Sequence, residues 1–317
     1  MASEHTASLS VVVPVYNSED SLRELVRQLG EVLPTCAPVR ELILINDGSR
    51  DRSWDVIREL STQHDWVRGI NLMRNYGQHN AILCGVRAAA HDVVVTMDDD
   101  LQHPPEEIAR IVQKLAEGYD VVYGTPQAEQ HGLWRDFASQ VTKLALSSAM
   151  GSETARKVSA FRAFRTSLRD AFGRYQGPFV SVDVLLTWGT TRFAAVPVRH
   201  EPRRVGASNY TFRKLLTHAI NMTTGFTTLP LQIASVVGLL FTIFGLSVLC
   251  YVVGRYLIQG STVPGFPFLA SLIAIFSGAQ LFALGIIGEY LARMHFRTMD
   301  RPPYAIREVT KSSETSG

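Results

Sequence analysis

From residue 9 onward, short apolar runs alternate with longer amphipathic segments. SLSVVVPVY leads into SEDSLRELVRQLGEVL, ELILIND into RDRSWDVIRELSTQH, VRGINLMRN into QHNAILCGVRAAA, and DVVVTMDDD into PPEEIARIVQKLAEG, with DVVYGT after them. The short runs suit buried strands, and the longer ones place apolar residues on one helical face. This alternation predicts an α/β fold, a mostly parallel sheet with helices on both faces. Pro104 and Pro105 suit the first turn of a helix, where Glu106 and Glu107 meet the favourable end of its dipole. Residues 126 to 200 are less regular. A helical stretch is expected around 132–149, with strand-like segments near 158–164 and 192–198 that complete the sheet and the second half of a cleft.

The pattern then changes. Phe212, Leu215, Leu216, Ala219 and Ile220 recur at helical spacing, with Arg213, Lys214 and His218 off that stripe. This predicts an amphipathic helix over 211–230 lying at a membrane interface, although a core-packing helix produces the same periodicity. Residues 231–254 and 266–288 contain no Asp, Glu or Lys and no Arg. Each is long enough to cross roughly 30 Å of hydrocarbon at about 1.5 Å per residue. Two transmembrane helices are expected; a pair of buried helices in a soluble core is the alternative. Arg213 and Lys214 precede the first span, Arg293, Arg297 and Arg301 follow the second, and the connecting loop offers only Arg255. That bias places both ends in the cytoplasm. The expected organisation is a cytosolic α/β domain over 1–210, an interfacial helix over 211–230, a hairpin of spans over 231–291 and a cytosolic tail over 292–317.

Charge narrows the partners. With 31 basic and 29 acidic residues and a net charge of +2, the chain lacks the field of a nucleic-acid binder, and none is expected. Cys36, Cys84 and Cys250 are too scattered for a disulfide framework or a paired metal motif. The polar start, MASEHTASLS, lacks the basic-then-apolar order of a secretory signal, so a cytosolic N-terminus is expected.

The candidate chemistry gathers where predicted strands end, the edge at which open α/β sheets bind ligands. TMDDDLQHPPEE places three aspartates there. Strand alternation would point Asp98 and Asp100 one way and Asp99 the other. Two carboxylates on one side, with Gln102 as a further oxygen, suit a hard divalent cation; a solvated acidic turn capping the next helix is the plainer reading. NDGSRD after the second strand is a capping turn in which Asp47 can accept hydrogen bonds from a base or ribose. RRVGASNY, residues 203–210, joins two arginines to a glycine and small polar groups, a composition suited equally to phosphates and to anionic lipid.

Taken together, VVVPVYN, NDGSRD, RNYGQHNAI, MDDDLQHPPEEI, FRAFR, RRVGASNY and two C-terminal spans ending in GEYLAR resemble the membrane-bound family 2 glycosyltransferases that make polyprenyl-phosphate sugars. The likeness runs over nearly the whole chain. It implies a GT-A fold and inverting transfer from a nucleotide sugar, UDP-linked rather than GDP-linked, to a polyprenyl phosphate at the cytosolic leaflet of the bilayer. It also implies Mg²⁺ or Mn²⁺ on Asp98, Asp100 and Gln102, and a nucleotide pocket of Pro14, Tyr16, Asn17, Asp47 and Asp99. Arg203, Arg204, Ser208 and Tyr210 correspond to a loop closing over the donor phosphates, with Arg203 and Arg204 joining the two aspartates in catalysis. Arg135 and Arg162 lie where the family places basic residues for the lipid phosphate. A tetramer is a common state of the two-span members.

Two positions depart from the family. Ser18 follows PVYN where Glu is frequent, and Ala160 precedes the Phe-Arg pair where several members carry an Asp proposed as a base. A phosphomonoester has a second pKa near 6, so the acceptor oxygen is already ionised at neutral pH and can attack unaided. A processive polysaccharide synthase shares the aspartates, but its Gln-x-x-Arg-Trp motif is missing here. A non-catalytic membrane scaffold is the alternative from another class.

Overall fold

The computed structural model describes residues 8–126, 157–177, 180–201, 229–259, 265–299 and 302–310. An eight-stranded sheet carries the fold. In chain order the elements are β1 (Leu9–Val15), α1 (Leu22–Cys36), β2 (Arg40–Asn46), α2 (Ser53–Gln63), β3 (Val67–Leu72), α3 (Gln78–Ala88), β4 (Val93–Thr96), α4 (Ile108–Ala116), β5 (Val121–Pro126), β6 (Arg162–Arg165), α5 (Val182–Leu186), β7 (Phe193–Val198), α6 (Leu229–Gln259), α7 (Phe266–Thr298) and β8 (Ile306–Val309). The strand order is β7-β5-β6-β4-β1-β2-β3-β8. The β4-β1-β2-β3 block is parallel, β6 runs antiparallel between β4 and β5, and β8 pairs antiparallel with β3. The mostly parallel sheet predicted from the apolar alternation is thus present, with antiparallel members at positions where the pattern gave no direction.

Both faces are covered, as the run of β-branched and leucine residues in each central strand requires. Leu9, Val11, Val13 and Val15 of β1 pack with Leu25 and Leu29 of α1, Ile57 of α2 and Ile111 of α4. Val12 of β1 and Ile43 and Ile45 of β2 pack on the other side with Leu83 and Val86 of α3 and Leu185 of α5. α3 approaches β1 closely: a Cβ on Gly85 would lie 2.4 Å from Val12 Cγ1.

α6 and α7 are long and apolar enough to cross a membrane, and their apolar residues, such as Leu240, Leu257, Ile273 and Leu281, are exposed. They touch each other through Phe241 and Phe276, whose rings meet edge to face at 5.8 Å, and a Cβ on Gly245 would sit 2.9 Å from Phe276. α7 continues as helix to Thr298, past the expected end of the hairpin. Within the stretch expected as the C-terminal tail, Ile306–Val309 form β8 and join the sheet. The predicted interfacial helix over 211–230 lies almost wholly outside the described residues, as does the helical stretch expected around 132–149.

Candidate active site

The cleft forms where β1, β2, β3 and β4 end together. It has a volume of about 260 Å³ and is lined by Pro14, Val15, Tyr16, Asp47, Asn75, Gly77, Gln78, Asp98, Asp99 and Asp100. Its walls are four loops, joined to one another largely by hydrogen bonds between backbone and side chains.

The loop after β1 is fastened to the loop after β2. Asn17 takes a positive φ of 54°; its N–H donates to Ser49 Oγ at 3.0 Å and its Oδ1 accepts the Arg50 N–H at 2.8 Å. The Ser18 N–H donates to Ser53 Oγ, and Glu19 and Asp51 exchange bonds with the opposite backbone: Glu19 N–H to Asp51 at 3.1 Å, Arg52 N–H to Glu19 at 2.8 Å. Asn17 therefore staples the two loops, and it is not among the residues lining the cleft, where a nucleotide contact was expected. Ser18 and Glu19, the departure from the family pattern, serve the same fastening.

The loop after β2 in turn grips the loop after β3. Asp47 is 3 % exposed. Its Oδ1 accepts the Tyr76 N–H at 2.7 Å and its Oδ2 the Gly77 N–H at 2.8 Å. Burial pushes its pKa up, against the pull of those two donors and of Arg74. The carboxylate expected to meet a base or ribose is thus committed first to shaping residues 74–78, with a second lone pair on each oxygen left to face the cleft. Gly48 makes this possible, because with φ of +66° a Cβ would lie 2.5 Å from Asn75 N. Gly77, at φ 92°, turns the chain into α3 and brings Gln78 to the cleft.

The three aspartates lie beyond the strand. β4 ends at Thr96 and Leu101 takes a positive φ of 60°, so the chain has left the pleat before Asp98 and all three residues line one cleft. Each has its own neutral partner. Asp98 Oδ1 accepts the Gln78 amide at 2.7 Å, Asp99 Oδ2 accepts the Tyr16 N–H at 3.3 Å, and Asp100 Oδ1 accepts the Gln102 N–H at 3.1 Å. Burial raises the Asp99 pKa. His103, buried beside them, stacks on Phe161 at 5.2 Å, and burial lowers its pKa to about 4, leaving a neutral ring. Gln102 contributes a backbone donor here, and its residue is not part of the cleft lining.

Arg162 is the cation behind the cluster. It is 1 % exposed, its Nε donates to Thr96 Oγ1 at 3.0 Å, and its guanidinium pairs with Asp183, which also accepts the Tyr123 hydroxyl. Asp98 is near enough to add to the stabilisation of its charge. Arg162, expected at the acceptor phosphate, is buried and paired with Asp183. Ala160 offers only a carbonyl, taken by Thr96 Oγ1 at 2.8 Å. Arg135, Arg203, Arg204, Ser208 and Tyr210 lie outside the described residues. Asn75, Gly77 and Gln78 were not singled out beforehand; the sign of them was RNYGQHNAI, a polar stretch following an apolar strand at the sheet edge that already held the other motifs.

Residues 10–175 match the sequence pattern of the family described as Glycosyl transferase family 2. The chain belongs to that family. This glycosyltransferase is 35 % identical over 311 residues to the undecaprenyl-phosphate 4-deoxy-4-formamido-L-arabinose transferase of Salmonella paratyphi B, covering 97 % of this chain and 95 % of that one. The counterpart from Salmonella choleraesuis is 34 % identical over 310 residues, with 97 % and 95 % covered. Among solved structures, glucosyl-3-phosphoglycerate synthase from Mycobacterium tuberculosis, in complex with Mn²⁺, UDP and glucosyl-3-phosphoglycerate, superposes with a TM-score of 0.52 at 19 % identity, covering 69 % of this chain and 78 % of that one. The glycosyltransferase therefore has a GT-A type sheet, with two candidate membrane helices near its C-terminus.

Proposed function

We propose that the enzyme transfers a sugar from a nucleotide sugar, UDP-linked, to a polyprenyl phosphate of the undecaprenyl type, with inversion at the anomeric carbon. One observation carries the reading: similarity to a transferase named for undecaprenyl phosphate extends over 311 residues, through the cleft and both apolar helices. A soluble acceptor would give no reason to retain two exposed apolar helices beside the sheet, whereas a polyprenyl chain must stay in lipid while its phosphate meets the donor.

The donor set in the cleft fits a hard divalent ion. Asp98 and Asp100 supply carboxylate oxygens, with Gln102 as a further candidate; among the described residues no group of three or more His, Cys, Asp or Glu is gathered as a metal cage, here or elsewhere. So sparse a protein contribution suits Mg²⁺ or Mn²⁺ shared with substrate phosphates. When bound, the ion would neutralise charge on the departing diphosphate. The chain itself orients the donor between Tyr16, Asp47 and the 74–78 loop, and Arg203, Arg204, Ser208 and Tyr210 close over the phosphates. The acceptor phosphate oxygen attacks the anomeric carbon as the bond to the diphosphate breaks; no side chain need take a proton, since that oxygen is mostly ionised at neutral pH. Positioning and charge stabilisation carry the rate. Both hairpin ends face the cytoplasm in this reading, the sugar is left on the cytosolic leaflet, and a homotetramer is the working assembly.

The test is a radiolabel transfer assay with detergent-purified protein, undecaprenyl phosphate and Mg²⁺ or Mn²⁺. UDP-glucose, UDP-N-acetylhexosamines, UDP-linked arabinose derivatives and GDP-mannose are offered in turn. Organic-extractable label from a UDP-sugar is expected, abolished in Asp98→Asn; product formed only from GDP-mannose would overturn the UDP assignment, and full activity in Asp98→Asn the metal site. In cells, Gly265→Cys should react with an impermeant maleimide added outside.

A further inference from the structure

The residue that precedes the donor-side loop is held by the chain that returns from the membrane hairpin. Met73 directly follows β3 and begins the run to Gln78. Its N–H donates to Ala305 O at 2.9 Å, and its carbonyl accepts Arg307 Nη2 at 3.0 Å. Next to it Leu72 pairs with Ile306 and Asn71 with Glu308, across a register shift between Asn71 and Leu72. Glu308 accepts Trp54 Nε1 at 3.2 Å. Further along, Gly69 exchanges two bonds with Thr310: Gly69 N–H to Thr310 Oγ1 at 2.8 Å and Thr310 N–H to Gly69 O at 2.9 Å. Tyr304 lies against α3, where its ring faces Arg87 at 5.6 Å and its hydroxyl accepts from Arg87 Nη1 at 3.5 Å. Without this segment β3 would be an open edge, and the backbone on which residues 74–78 hang would be free to shift.

We propose that residues 304–310 are a positioning element of the donor cleft, gripping Met73 by both backbone groups so that Asp47 finds the Tyr76 and Gly77 N–H groups and Gln78 finds Asp98. This rests on the assignment of the cleft as the donor site. Because β8 follows α7 directly in the chain, the hairpin that seats the enzyme in lipid and the loop that seats the donor share one strand.

Arg307→Ala in the full-length protein tests it, since Arg307 is exposed and touches only the Met73 carbonyl among the hydrogen bonds described. Loss of one such bond should raise the donor KM about two- to tenfold, leave the acceptor KM unchanged, and be reversed in part by Arg307→Lys. Amide hydrogen exchange gives a readout that needs no turnover. Exchange at Tyr76 and Gly77 should quicken about two- to tenfold while β1 and β2 keep their protection. Unchanged exchange at 74–78 would overturn the proposal. So would a uniform rise across the sheet, which would mean that Arg307 serves stability alone. If no donor is turned over by the unaltered enzyme, the functional reading fails, yet the exchange result still decides this inference.

Discussion

Replacing Asp183 by Asn isolates the charge behind the acidic cluster. The substitution keeps the size of the side chain and removes its charge, so Arg162 remains 1 % exposed with its counter-ion gone. Thr96 Oγ1 still accepts from Nε, but the Tyr123 hydroxyl and an amide cannot replace a carboxylate. Removing one partner of a buried pair costs about 3–5 kcal/mol, because the other is left buried and uncompensated. For a domain of this size about 1 kcal/mol moves the unfolding midpoint by about 2–4 °C, so a fall of roughly 6–20 °C follows. Tryptophan fluorescence of the detergent-solubilised chain on heating would read it. The companion variant, Arg162→Met with Asp183→Leu, removes both charges and should recover most of the loss, since a well-packed apolar pair is often no worse than a buried ion pair. A drop below about 3 °C in Asp183→Asn would refute the reasoning, because it would mean that water or another anion reaches the guanidinium. A double variant as unstable as the single one would refute it too, by showing that volume and not charge is at stake.

Three further outcomes follow from the same geometry. Gly48→Ala forces a side chain into a positive φ and against the Asn75 N at 2.5 Å; a loss of about 1–3 kcal/mol in stability is expected, with a raised donor KM, measured by denaturation and steady-state kinetics. Gln78→Ala removes the amide from Asp98, and a hydrogen bond to a charged group is worth about 1.5–3 kcal/mol, so transfer should fall about ten- to a hundredfold at saturating acceptor. Burial lifts the Cys84 thiol from 9.0 to about 12. The folded state then holds its proton where the unfolded state has lost it, so this stabilisation is complete below pH 9 and disappears as pH rises towards 12. Comparing the alkaline arm of the stability curve with that of Cys84→Ala should show a flatter decline in the variant.

The parallel core of the fold could be read from the sequence because it is written in local terms. Apolar runs such as VVVPV and ELILI are buried on both faces, and the helices between them carry one apolar stripe each, so type and order follow from periodicity. The edge at which PVYN, NDGS and DDD meet follows from the same rule of parallel strands. What was not legible depends on partners far apart in the chain. The pairing of Arg162 with Asp183, the Gln78 contact to Asp98 across 20 residues, and the commitment of Asp47 to Tyr76 and Gly77 leave no local trace. The aspartates lie outside the reach of strand alternation for a different reason: the pleat stops at Thr96, before the first of them. β8 was missed because REV among polar neighbours has little apolar signal, its place being decided by an open edge 234 residues away, the separation between Met73 and Arg307.

That last strand also sets an arithmetic of crossings. A chain hydrogen-bonded to itself in one sheet, once before a pair of apolar helices and once after them, has both attachments on the same side of any bilayer those helices span. If α6 and α7 cross a bilayer, the number of passages between β7 and β8 must then be even. A descendant of this architecture can gain or lose spans two at a time and keep the sheet, but a single added or deleted span would strand Ile306–Val309 on the far side and leave β3 uncovered. With two such spans, the fold would restrict how the anchor can evolve through a pairing that lies outside the membrane altogether.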